Sequence, residues 1–354
     1  MIIGTCGFCS TGSSAVSDYL KEFDNVKVLD NIEFTFVYLP DGLSDLYYHL
    51  VENICRDDSS NVAITRFRRM MKSLKRYICR NNGISFKQYD LIVEDFLSSL
   101  VQMSFKAARR SDVWLDDSWI RRNIGSRIFQ QRIIPFINKK IHGCCEIYPY
   151  RKIELSVNPE NALGKFQGFV DSFIRALGGD SNDMIVLDQP FIGNDPVASF
   201  KFYKDAYAFV VDRDPRDNYI FAKEFLYKKG KFMPTNNVKE FVCYYRLMRD
   251  NMKYKQEHPR VMRLHFEDMV YDYDNTTEKI RRFLNLYENP NPKSIFDPNL
   301  SVNNTQLILR FPQYAEDVKY IEEQLPEYLY DFSRFPKPNN MGDMFMGKSP
   351  LNNK

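Results

Sequence analysis

The first sixteen residues, MIIGTCGFCSTGSSAV, restrict the fold more than any other stretch of the chain. An apolar run at residues 1–6 reads as a buried strand. It passes through Gly7-Phe8-Cys9-Ser10-Thr11-Gly12-Ser13-Ser14 into a segment with helical spacing at Ala15, Val16, Tyr19, Leu20 and Phe23. Small residues between a strand and a helix let the backbone curl until several N–H groups face one point, which makes an anion cradle. A second strand is expected at 26–29. The alternation returns near residue 184, with strands at 184–187 and 207–211 and a helix at 198–203. Arg213-Asp214-Pro215-Arg216-Asp217 then opens another helix, its proline in the first turn where a missing N–H costs nothing. Strands alternating with helices predict an α/β fold: a P-loop-like three-layer α/β/α domain with a central parallel sheet.

The cradle has the spacing of the nucleotide phosphate loop, G-x-x-x-x-G-K-[ST], but Ser13 stands where the lysine belongs. A γ-phosphate transferase without that charge loses its main neutraliser, so an ATP or GTP enzyme is disfavoured. The second feature, the arginines of 213–217, falls at the end of an apolar strand, where open α/β sheets bind ligands. In this order the two features resemble the sulfotransferase family, which uses 3′-phosphoadenosine 5′-phosphosulfate (PAPS). Leu187-Asp188-Gln189-Pro190 lies where the family has a K-T/S-P strand end. Residues 260–270 and 280–284 are similar to its R-Y-E-D-L-V … F-L-G-L segment, and 296–305 to its late covering loop. The similarity spans 1–35 and 184–330.

The resemblance implies PAPS as cosubstrate, no metal, and sulfuryl transfer to an acceptor hydroxyl. It implies that Ser10, Thr11, Gly12, Ser13 and Ser14 hold the 5′-phosphosulfate and that Arg213 takes the 3′-phosphate. Two departures stand out. Ser10 replaces the basic residue usual before S/T-G, and Phe221 replaces the serine expected eight residues after Arg213. Arg216, Lys223 and Arg310 are the expected substitutes. For the base, Glu33 comes first and Asp30 second, from the acidic cluster at the end of the second strand, where the register leaves Asn31 open. His49 is third, because cytosolic members use histidine. His265 and Glu267-Asp268 are read as scaffold, the acids capping a helix.

Residues 40–180 fall outside the resemblance and read as a largely helical, basic insertion, expected to receive the acceptor, within a single domain spanning 1–354. The overall charge balance hides this segment. The chain carries 49 Lys+Arg and 46 Asp+Glu, but residues 61–140 hold 17 of the former and 6 of the latter. The expected acceptor is a glycan hydroxyl, with a sterol or other lipidic alcohol second, the apolar run 133–137 being its slot. Peripheral contact with an anionic membrane surface is a further expectation; a non-catalytic nucleotide-binding module is the alternative from another class. A near-neutral total argues against nucleic acid. Trp114 and Trp119 read as core or as a sugar-stacking pair, and His142 and His258 carry no pattern. Seven cysteines, an odd number sparsely spread, no basic-then-apolar leader and no 18-residue apolar run predict a cytoplasmic protein without disulfides or a membrane span. The segment from 336 to 354, rich in Pro, Asn and Gly, is expected to be a mobile tail.

Overall fold

The computed structural model describes residues 1–54, 58–107, 132–140, 151–180, 184–226, 232–250 and 258–335. The readings made for Trp114, Trp119, His142, most of the 109–140 basic stretch and the 336–354 tail lie outside these residues. Among the described residues there are seven strands: β1 (Ile2–Gly7), β2 (Val26–Glu33), β3 (Met103–Ala107), β4 (Arg151–Leu155), β5 (Met184–Asp188), β6 (Ala206–Asp212) and β7 (Val261–His265). The chain forms two compact units, one of residues 1–35 and 178–354, the other of 36–177.

The first unit is built on a five-stranded sheet, order β2-β5-β1-β6-β7, with every pairing parallel. β1 is central, and its inner residues Ile3 to Cys6 are buried on both faces, the pattern of a strand covered by helices on either side. Gly4 is required there, because a Cβ would come within 2.4 Å of the Phe191 ring. Ile3, Val16, Tyr19, Val186, Phe209 and Ile280 belong to the core cluster on the sheet, and Tyr219, Phe241, Tyr245 and Ile321 to a second one. Removing such a side chain costs about 2 to 5 kcal/mol.

Two elements differ from the sequence expectation. β2 runs four residues further, to Glu33, through an irregularity between Leu29 and Glu33 that places Glu33 opposite Asp188. The segment expected as a helix at 198–203 is instead a 3-10 turn, Pro196–Phe202, started by Asp195 accepting the Ala198 N–H at 3.3 Å. The tighter winding suits a connection of only seventeen residues between β5 and β6.

The second unit holds helices Asp58–Asn82, Phe86–Leu100 and Ala162–Ala176 with the antiparallel pair β3–β4. Its core is aromatic: Phe96 stacks on Phe169 at 4.3 Å, and Phe67, Phe166 and Phe173 pack edge-on around them. The basic Asp58–Asn82 helix spends part of its charge internally, Arg68 pairing with Glu154 at 2.8 Å and Lys75 with Asp90 at 2.5 Å. Lys72, Arg76 and Arg80 are exposed. Among the described residues, no helix is long and apolar enough to cross a membrane.

Candidate functional site

The site lies at the carboxyl edge of the parallel sheet, where β1 ends between β5 and β6. In such sheets the strand ends around the topological switch open onto a crevice. The residue after β1 begins a loop with an unusual backbone. Cys9 (φ 70°) and Ser10 (φ 55°) are consecutive left-handed residues without being glycine, and Gly12 (φ 84°) follows. Each left-handed non-glycine costs about 1 to 2 kcal/mol, so the turn persists because neighbouring groups hold it. At Gly12 the glycine is obligatory: a Cβ would also meet the Phe266 ring at 2.7 Å.

Neighbours clamp the loop from one side. Asn218 Nδ2 donates to the carbonyls of Cys9 at 3.1 Å and Ser10 at 3.2 Å. Arg213 Nη1 adds a longer bond to the Ser10 carbonyl, 3.4 Å. The Thr11 hydroxyl turns inward to accept the Phe8 N–H at 3.2 Å, and Gln189 Nε2 donates to the Ser13 hydroxyl at 3.1 Å. Among the described residues the backbone N–H groups of Cys9 through Ser14 meet no acceptor. Six consecutive donors left unused on one loop constitute an anion nest.

Loop residues 9–14 line a cavity of about 310 Å³ together with Asp18, Glu33, Asp188, Gln189, Arg213 and Phe221 among others. Arg213 is 3% exposed. Its guanidinium packs against the rings of Phe221 (4.8 Å) and Phe266 (5.3 Å), and Nη2 donates to the Asn304 carbonyl. Nε is left without a partner. Burial lowers the arginine's pKa, while the nearby Asp217, Glu267 and Asp214 oppose that. The charge is therefore held by a buried acidic group: Asp217, which accepts the Gln306 and Leu307 N–H groups at 2.7 Å, and Glu267, which accepts the Asp214 N–H at 3.0 Å.

Opposite the loop stands a carboxyl pair. Glu33 and Asp188 are register partners at the ends of β2 and β5. Desolvation and the charges of Glu33 and Asp30 push Asp188 up to about 7, with Lys21 pulling the other way. Glu33 is also raised, by desolvation. A carboxyl desolvated beside a second carboxyl can keep its proton near neutral pH. That is the range in which a general base works best. Asp18, the third acid on the wall, is tied to Lys21 at 2.8 Å.

Of the residues expected from sequence, Ser10 to Ser14, Arg213 and Glu33 come together in this cavity. The others do not line it. Asp30 is bridged to Lys21 at 2.5 Å. His49 belongs to the second unit, with its ring 5.2 Å from that of Tyr48. Arg216 is bound to Asp214 (2.7 Å), to Glu322 (2.8 Å) and to the Tyr330 carbonyl. Lys223 pairs with Asp317 at 3.2 Å and lies over the Tyr219 and Tyr314 rings. Arg310 closes the Leu307–Leu309 turn through its backbone, donating to the Leu307 carbonyl at 3.0 Å. Sequence reasoning missed Asp188 and Asn218 as site residues. The signal for Asp188 was present, an acid where the family resemblance puts lysine, and Asn218 follows the 213–217 motif directly. His265 and Asp268 do close a helix start, the Asp268 carboxylate accepting the His265 N–H at 2.9 Å.

No protein-family model and no curated protein matches the chain. Solved structures similar to it include a sulfotransferase from Alicyclobacillus acidocaldarius, 11% identical over 94% of this chain and 97% of that one, TM-score 0.36. The sulfotransferase domain from the curacin biosynthetic pathway is 10% identical over 93% and 98%, TM-score 0.39. A sulfotransferase from Mycobacterium avium is 12% identical over 95% and 76%, TM-score 0.37.

Proposed function

We propose that the chain is a sulfotransferase that moves a sulfuryl group from PAPS to an acceptor hydroxyl, that of a glycan before that of a sterol or other lipidic alcohol. One observation carries this reading: a nest of six unused N–H groups shares its cavity with a carboxyl pair of raised pKa. The nest fits a phosphosulfate, whose oxygens only accept hydrogen bonds, and the unpartnered Nε of Arg213 fits a second phosphate. When bound, the donor supplies an activated sulfuryl group and a bisphosphate leaving group.

The chain's own part is positional and electrostatic. The loop N–H groups hold the anion in a fixed orientation without reorganising, which makes preformed donors effective. Glu33, with Asp188 beside it, accepts the proton of the acceptor hydroxyl as that oxygen becomes the nucleophile. Gln189 fixes the Ser13 hydroxyl and thereby the entry to the first helix.

A second reading rests on its own observation. Among the described residues Arg213 is the one cation on the cavity wall, against three carboxylates, Asp18, Glu33 and Asp188. That balance suits a module which binds a nucleotide without transferring sulfate. Incubation with labelled PAPS and a panel of oligosaccharides and sterols decides between the two. Label in a glycan product, lost in Glu33→Gln, supports the transferase. Donor binding with no labelled product from any acceptor supports the module.

A further inference from the structure

We infer that Asn218 is the residue that makes the loop after β1 an anion site, acting as a positioning residue that aims the Ser10 and Thr11 N–H groups into the cavity. The inference rests on the loop holding an oxyanion, as proposed above, but not on the identity of the donor.

The geometry follows from the peptide plane. In a trans peptide the carbonyl of one residue and the N–H of the next point in opposite directions. Asn218 Nδ2 holds the carbonyls of Cys9 and Ser10 at 3.1 and 3.2 Å. Fixing the first turns the Ser10 N–H to the other side, and fixing the second does the same for Thr11. One side-chain amide thus orients two consecutive donors, both on residues that line the cavity. It also satisfies two carbonyls at the left-handed pair Cys9–Ser10, the most strained point of the loop.

Asn218 suits this task because it is immobile. It is 1% exposed and lies on the Pro215–Phe221 helix. That helix begins on Asp214, whose carboxylate accepts the Arg216 N–H at 2.8 Å and whose own N–H is held by Glu267. Arg213 alone does not orient the pair, since its bond to the Ser10 carbonyl is long and it makes none to that of Cys9. Among the described residues no other side chain binds both carbonyls, and Asn218 reaches them from a helix more than two hundred positions away.

The test uses inorganic sulfate as probe and the full chain labelled with ¹⁵N at serine and threonine. In the parent protein, titration shifts the amide signals of Ser10, Thr11, Ser13 and Ser14. In Asn218→Asp, of the same size but without the donor, sulfate binding weakens about 10- to 100-fold. The Ser10 and Thr11 responses vanish, while Ser13 and Ser14, whose orientation Asn218 does not set, still respond at high sulfate. Asn218→Ser, a smaller variant without buried charge, gives the same selective loss and guards against failure of the aspartate variant to fold. Unchanged sulfate affinity in either folded variant, loss of all four responses together, or no Ser10 and Thr11 response in the parent protein overturns the inference. If sulfate shifts these amides but the nucleotide bisphosphate does not bind, the loop assignment stands and the choice of donor falls.

Discussion

Replacing Asp188 by asparagine should make the protein more stable, and only above the acidic range. The carboxyl ordinarily titrates at 3.8 and in this fold is pushed up to about 7. Between those values the folded state holds a proton that the unfolded chain has released. Stability therefore falls as pH rises from about 4 to about 7 and is level above that. Each pH unit in the window is worth about 1.4 kcal/mol, which sets a ceiling of about 4 kcal/mol for the whole penalty. Asp188 is partly reached by solvent, and Lys21 offsets some of the repulsion, so about 1 to 2 kcal/mol is the realistic gain for asparagine at pH 8. Unfolding entropy near 2.1 cal/mol/K per residue, summed over 354 residues, converts this to a rise in apparent Tm of about 1.5 to 3 °C. Scanning calorimetry of both proteins at pH 4, 5, 6, 7 and 8 reads it. The account expects no difference at pH 4 and a gap that opens steadily to pH 7. A gap of equal size at every pH, or a variant less stable at pH 8, would refute the upward shift of the Asp188 carboxyl.

Further outcomes follow from the same site. Glu33→Gln should lower the transfer rate by about 10² to 10⁴ while leaving bisphosphate binding within about twofold, as measured by single-turnover kinetics and calorimetry. Because the base works deprotonated and burial raises Glu33, the parent rate should climb with pH above the ordinary carboxylate range and then level; a rate that does not change with pH counts against Glu33 as the base. Gly12→Ala puts a Cβ against Phe266 at a positive φ and should cost about 1 to 3 kcal/mol by chemical denaturation, with anion binding lost. Arg213→Met keeps the bulk between Phe221 and Phe266 but leaves the Ser10 and Asn304 carbonyls without the guanidinium; bisphosphate affinity should drop by about 1.5 to 3 kcal/mol.

What the sequence disclosed and what it withheld divide along the range of the interactions. The loop 7–14 was legible because its function is local: a strand, small residues and a helix start suffice to curl the backbone. The 213–217 motif was legible for the same reason, with Pro215 in the first turn of its helix. Asp188 was not legible as a partner of Glu33, because their pairing depends on the irregularity between Leu29 and Glu33, and register across 155 residues leaves no trace in either strand alone. Arg216 and Lys223 looked like free cations on one helix. Their acids, Glu322 and Asp317, come from a helix about a hundred residues later, which no spacing rule connects to them. Asn218 carries no charge and matches no motif, yet it bonds to two consecutive carbonyls of the loop.

On the proposed function, the nest and Arg213 together hold a nucleotide bisphosphate in one cavity with the Glu33–Asp188 pair. Isothermal titration of the full chain with adenosine 3′,5′-bisphosphate, and separately with ATP and Mg²⁺, tests it most directly. The expected result is saturable one-to-one binding of the bisphosphate, at least about tenfold tighter than ATP and weakened about 10- to 150-fold in Arg213→Met. No heat of binding, or equal affinity for ATP with Mg²⁺, would contradict it.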